Sequence, residues 1–249
     1  MYSRIARLSL SFSALTFVLV TGAAASAPQD TGWKNYLTLY GLGAGLEGEV
    51  TVRGIDADLS ASFSDILEDL EFGAMLAYRG ETESWYMSVD AIYMGLGARR
   101  TEGGVSADAD FDEFVLEADV GMRISPRFEA FVGVRLWSLD AELDVTGPGP
   151  GQSAQGDQAW VDPLVGARYI QPISDAWTFV LRGDIGGFGV GSEFSWQAVA
   201  RVDWQFSESL ALNVGYRYID VDYEDGGGSD EFRYDVVTSG PAVGLTFRF

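Results

Sequence analysis

From about residue 70 to the C-terminus, apolar and polar side chains alternate with a period of two. The last segment is the plainest: Pro241, Val243, Leu245, Phe247 and Phe249 fall on one face, and Ala242, Gly244, Thr246 and Arg248 on the other. Such alternation marks a β-strand with two chemically different faces, and helical spacing does not reproduce it. The pattern recurs in Phe114, Leu116, Ala118, Val120 and Met122, and again in Phe128, Ala130, Val132, Val134 and Leu136. It predicts ten strands at roughly 33–46, 70–80, 84–98, 111–123, 127–144, 159–171, 176–188, 193–206, 209–222 and 234–249, with eight as the alternative count. Short connections (Gly80–Ser84, Ile124–Pro126, Pro172–Asp175, Ser207–Ser209) alternate with longer polar ones near 100–110, 146–158 and 222–233. The short segment 188–193 breaks that rule. An even strand number returns both chain ends to one side. Between the first and second strands, Ser62-Phe63-Ser64-Asp65 resembles a helix-start box, so the 47–70 segment reads as a short amphipathic helix or lid.

The N-terminus has a different logic. Arg4 and Arg7 precede an apolar run, Leu8–Val20, and small residues follow to Ala27. This is the order of a secretory signal peptide. Cleavage is expected after Ala25, giving a signal at 1–25 and a mature domain at 26–249; cleavage after Ala27 is the alternative, which would put Pro28 at the scissile bond. No later segment has the length of apolar sequence that a membrane helix needs. The mature chain is therefore either an exported soluble all-β protein or a closed membrane barrel.

Composition narrows the chemistry. The chain holds 37 Asp+Glu against 16 Lys+Arg, a formal charge of −21, with no His and no Cys. Nucleic acid is excluded as a partner, because its phosphates need clustered cations. Disulfides, Cys/His zinc sites and a Ser-His-Asp triad are excluded outright. No carboxylate pair stands out as a hydrolytic centre, so no enzyme activity and no cofactor are expected. Gly43-Ala44-Gly45-Leu46-Glu47-Gly48 matches a dinucleotide fingerprint but lacks the βαβ setting that gives it meaning. Asp108–Glu113 and Asp220–Asp225 resemble calcium loops without the required sixth-position Gly; at most they hold divalent cations weakly.

The strand face opposite the apolar one carries as many Arg as acids. Asp90, Glu117, Asp119, Arg123, Arg135, Asp162, Arg168, Arg182, Asp184, Arg201, Asp203 and Arg217 form a candidate luminal charge lattice. Arg suits a confined ion-pair network, because its planar fork matches carboxylates. This balance assigns the net negative charge to loops and ends. Trp33, Trp85, Trp177, Trp204, Phe128, Phe206, Phe247 and Phe249 lie near strand ends, where aromatic girdles meet a membrane interface.

With these features the chain resembles small Gram-negative outer-membrane barrels of the OmpA/OmpX-like or opacity-like superfamily. The blocks Ser62–Leu67 and Trp160–Tyr169 are similar to those of uncharacterised outer-membrane barrel proteins. The resemblance covers residues 33–249 and implies an all-β fold: a closed antiparallel transmembrane barrel of eight to ten strands in the outer membrane. It implies membrane lipid and lipopolysaccharide as surroundings. It also implies that Val243, Leu245, Phe247 and Phe249 are a terminal signal read by the barrel-assembly machinery. The reading for function is a salt-bridged closed barrel with a structural or surface-interaction role. A narrow cation-preferring pore and an adhesion or ligand-binding module built on the outer loops are the alternatives.

Overall fold

A computed structural model describes residues 32–52, 55–102, 105–146, 152–228 and 231–249. The expected signal segment lies outside them. The strands, in chain order, are β1 (Lys34–Leu42), β2 (Gly45–Val52), β3 (Ile55–Ala61), β4 (Leu70–Glu81), β5 (Trp85–Glu102), β6 (Val105–Ser125), β7 (Phe128–Thr146), β8 (Gln152–Pro172), β9 (Trp177–Gly186), β10 (Phe194–Gln205), β11 (Leu210–Asp225) and β12 (Phe232–Arg248), with one helix, α1 (Phe63–Asp69), between β3 and β4. All described pairings are antiparallel, and β1 pairs with β12, closing a ten-stranded barrel from β1 and β4–β12.

The ten barrel strands correspond to the ten read from the alternation. The 47–70 segment does contain a helix. Ser62 caps it reciprocally: the Asp65 amide donates to Ser62 Oγ (3.4 Å) and the Ser62 amide to Asp65 Oδ2 (2.9 Å). The hairpin β2–β3 ahead of it was not anticipated. It adds to β12, whose edge opposite β11 is divided: residues 242–248 pair with β1, and residues 232–239 with β2.

Of the stretches expected as long loops, the described residues of 100–110 and 146–158 are strand, and 222–233 is strand at its two ends, 222–225 and 232–233. Their polarity reflects position: the strands outrun the apolar zone, and their outward residues turn acidic there. At the end of the barrel distal to Phe249, the wall also divides. β4 meets β5 only up to Leu96, and β8 meets β9 only from Leu164 inward. Beyond those points the described pairings form two four-stranded sheets, β5–β6–β7–β8 and β11–β12–β2–β3. Sheets with one apolar face bury it against each other. Val115, Trp137, Leu139 and Trp160 from the first sheet meet Leu46, Ile219, Val221, Tyr223, Tyr234 and Val236 from the second, and Ile66 of α1 joins them.

Candidate functional site: the filled lumen and its acidic outer wall

The outward face shows what surrounds the barrel. Exposed apolar side chains include Leu76, Val89, Val120, Val132, Val165, Leu181, Ile185, Val214 and Val243. Aromatic residues bound this zone on both sides. Trp85 and Tyr93, and Trp204 and Trp196, are each eight positions apart on one strand face. The same spacing separates Met122 from Phe114 and Leu210 from Tyr218. Eight residues rise roughly 26 Å along a strand, or about 20 Å vertically at a 40° tilt, close to the ~25 Å apolar band of bacterial barrels. Trp177 stacks on Trp204 (5.6 Å) at the terminal end, and Trp196 on Tyr218 (4.7 Å) at the distal edge. This is the architecture of a small outer-membrane β-barrel.

Acids begin one outward position beyond the distal aromatics. Asp112, Asp140 and Asp157 stand in register across β6, β7 and β8, and all three are exposed. Asp110 and Glu142 form the next rung. Asp222, Asp235 and Glu49 repeat the arrangement across β11, β12 and β2. Much of the negative charge therefore lies on strand walls, where the sequence reading placed it in loops and ends. Directly opposed like charges cost stability. Among the described residues, polar contacts that offset it include Tyr93 Oη donating to Asp112 Oδ1 (2.7 Å) and the exposed pair Arg233–Glu224 (2.8 Å).

Inside, three layers follow one another. The middle layer is an ion-pair cluster. Arg135, with no exposed surface, donates from Nε to Glu117 Oε2 (2.9 Å) and from Nη2 to Asp184 Oδ1 (2.7 Å). Arg182 pairs with Glu117, and reaches Asp119 and Asp184 at 3.2 Å each. Gln197 Nε2 donates to Asp184 Oδ2 (2.9 Å). To one side, Arg217 Nη1 meets Asp90 Oδ2 (3.0 Å), and Tyr40 Oη donates to Asp90 Oδ1 (2.6 Å).

Toward the terminal end lies a chamber of about 450 Å³. Arg201 and Asp203 pair at its wall (3.0 Å). Arg123 reaches Glu129 (3.5 Å) and Glu81 (3.7 Å), and Arg79 holds both acids at 2.8 Å. Arg79 also lies over the Tyr86 ring, 3.7 Å from its centre.

Toward the distal end the lumen is apolar and aromatic. Trp160 stacks on Tyr223 at 3.9 Å between centroids, and Trp137 stacks on Trp160 at 5.8 Å. Asp162 belongs here rather than with the ion pairs. Its oxygens accept from the Ser192 amide (2.7 Å) and hydroxyl (2.8 Å), while Trp160 Nε1 donates to Ser192 Oγ (2.9 Å). Asp162 thus pins the 187–193 turn against β8.

The luminal glycines are niches. A Cβ at Gly121 would overlap the Tyr86 ring, and one at Gly166 the Phe131 ring. These two glycines make room for a neighbour's ring, whereas Gly186 and Gly215 lie against the backbone of the adjacent strand, so none of the four marks open space.

The structure thus brings eleven of the twelve proposed lattice residues into ion pairs and sets Asp162 apart. It adds Arg79, Glu81, Glu129, Tyr40 and Gln197, which the sequence reading did not select. Strand phase marked several of them as inward, but only register shows which inward groups meet. Of the terminal segment, Val243, Phe247 and Phe249 are exposed on the outer surface, and Leu245 is half-buried.

No family model matches the chain, and no curated protein matches its sequence. Solved structures to which it is similar include the Yersinia pestis attachment invasion locus protein Ail in complex with the heparin analogue sucrose octasulfate (14% identity over 88% of this chain and 99% of that one, TM-score 0.40). They also include Neisserial surface protein A (13% identity, 88% and 98%, TM-score 0.33) and the outer membrane protease OmpT from Escherichia coli (9% identity, 87% and 97%, TM-score 0.47).

Proposed function

We propose that the chain is an integral outer-membrane scaffold with a closed lumen, which holds an acidic two-sheet head beyond the lipid for surface interaction. Both chain ends then face the periplasm, after export by a cleaved signal peptide. One observation carries this reading: the Trp160–Tyr223 stack at 3.9 Å joins the two distal sheets across the lumen, directly beyond the buried Glu117–Arg135–Asp184–Arg182 cluster. A solute would have to separate both layers. Unpairing the buried ions leaves charges in a low-dielectric interior, which costs several kcal/mol.

The role is then displayed on the outside. Rungs of carboxylates at lipopolysaccharide height would repel its phosphates unless divalent cations bridge them, so weak cation binding belongs to this proposal. The exposed Val243, Phe247 and Phe249 would serve the barrel-assembly machinery as a terminal signal. Liposomes carrying the refolded mature protein test the closed lumen. They should retain an entrapped small dye as empty liposomes do, while unheated and boiled protein differ in mobility on SDS gels. Dye release from correctly inserted protein would overturn the reading.

A further inference from the structure

The chamber at the terminal end contains a cation without an acid of its own. Arg168 on β8 is 9% exposed. Its Nη1 lies 3.5 Å from Glu129 Oε2, and its Nε is buried with no hydrogen-bond partner among the described residues. Glu129 is already engaged by Arg79 at 2.8 Å and by Arg123 at 3.5 Å. Three guanidinium groups therefore face two carboxylates, Glu129 and Glu81.

Register adds to the imbalance. Arg182 on β9 stands directly opposite Arg168. Like charges so placed repel unless something between them is negative. Arg182 is committed to Glu117, Asp119 and Asp184, so it leaves no acid for Arg168. Arg201 on β10 lies one strand further along the same wall. Among the described residues it reaches only Asp203, through Nε, and its side chain is 39% exposed. All three arginines line the chamber, as do Pro126, Asp175 and Ala176 of the terminal-end turns, so it opens at that end. Its volume lies within the ~300–1,000 Å³ of small-molecule pockets.

We propose that this chamber binds a small oxyanion, a carboxylate or phosphate entering from the periplasmic side, on the fork of Arg168 with Arg201 completing its coordination. Planar guanidinium groups match both anions in two-pronged hydrogen bonds. The anion supplies the charge that Arg168 lacks and separates it from Arg182. The direction of entry rests on the closed-lumen reading; the site itself does not.

The test is calorimetric titration of the refolded mature protein in zwitterionic detergent. Inorganic phosphate and succinate are the probes, at constant ionic strength set by sodium chloride. Saturable one-site binding is expected for at least one of them, and the preference between them distinguishes phosphate from carboxylate. Arg168→Gln should weaken it about tenfold or more, as loss of a charge-assisted pair does. Arg201→Gln lies outside the buried cluster, so it should keep heat-modifiable gel mobility while weakening binding about threefold or more. That variant decides the matter if Arg168→Gln fails to fold. Absence of saturable binding, or equal affinity in wild type and Arg201→Gln, overturns the proposal. Dye release from liposomes of the same preparation would instead overturn the closed lumen alone.

Discussion

Arg135→Leu and Glu117→Gln should differ sharply in cost, although both remove one side of the same ion pair. The middle cluster contains Arg135 and Arg182 against Glu117, Asp119 and Asp184, all 10% exposed or less at the side chain. Its formal charge is −1. Arg135→Leu leaves three carboxylates around Arg182 alone, a count of −2, and strips Glu117 and Asp184 of contacts at 2.9 and 2.7 Å. Breaking a buried pair in this direction costs about 3–5 kcal/mol. Glu117→Gln brings the count to zero and keeps one amide oxygen to accept from an arginine. Its cost should stay near 1–2 kcal/mol, that of impaired hydrogen bonding. The double variant returns the count to −1 and should be less destabilised than Arg135→Leu alone, a coupling of about 1 kcal/mol or more. Reversible urea unfolding in lipid vesicles, followed by Trp fluorescence, measures all four corners. If Glu117→Gln costs as much as Arg135→Leu, or the two costs simply add, net charge does not govern this layer.

Three further outcomes follow from the same geometry. Gly121→Ala would drive a methyl into the Tyr86 ring, and it should destabilise the barrel by roughly 1–3 kcal/mol in the same assay. Asp140→Asn relieves a rung in which Asp112 and Asp157 flank it, so it should stabilise slightly at low salt, by about 0.5 kcal/mol. That gain should vanish near 1 M salt, where exposed charges are screened; persistence would mean that repulsion is not its source. Deleting Phe249 should lower the amount of protein in the outer membrane, and undiminished assembly would remove the terminal residue from the targeting signal.

The strand inventory was legible because a membrane barrel imposes two different solvents on alternate residues. Val120 and Met122 face outward while Glu117 and Asp119 face in, and that contrast survives in the bare sequence. The distal third was not legible for the complementary reason. Past Tyr93 and Phe114 the outside becomes aqueous, so Asp110, Asp112, Asp140 and Glu142 replace the apolar outward positions and imitate loops. The inner positions there, such as Trp137 and Trp160, carry the core of a soluble-type sandwich. The hairpin β2–β3 does alternate, with Leu46, Gly48, Val50 and Val52 against Glu47, Glu49 and Thr51, then Ile55, Ala57, Leu59 and Ala61 against Asp56, Asp58 and Ser60, but its strands are short and the helix-start box beside them drew the whole 47–70 segment into one helix or lid. Luminal polarity could be read from strand phase, but pairing could not. Asp162 has the phase of a lattice residue and serves the Ser192 turn, whereas Glu129, on the same face, is shared by three arginines. Which inward charge meets which depends on register and tilt, and alternation says nothing about either.

The closed lumen is tested most directly by planar-bilayer recording of the refolded mature protein beside a Trp160→Ala/Arg135→Leu double variant, which weakens both layers. Removing the Trp160 ring deletes one of the contacts that span the distal sheets, at a cost of about 3–5 kcal/mol in packing, and removing Arg135 unpairs Glu117 and Asp184 in the layer behind it. Confirmed insertion with a silent wild type, and conductance steps or flickering only in the variant, is the predicted result. Stable steps from the wild type would contradict the account.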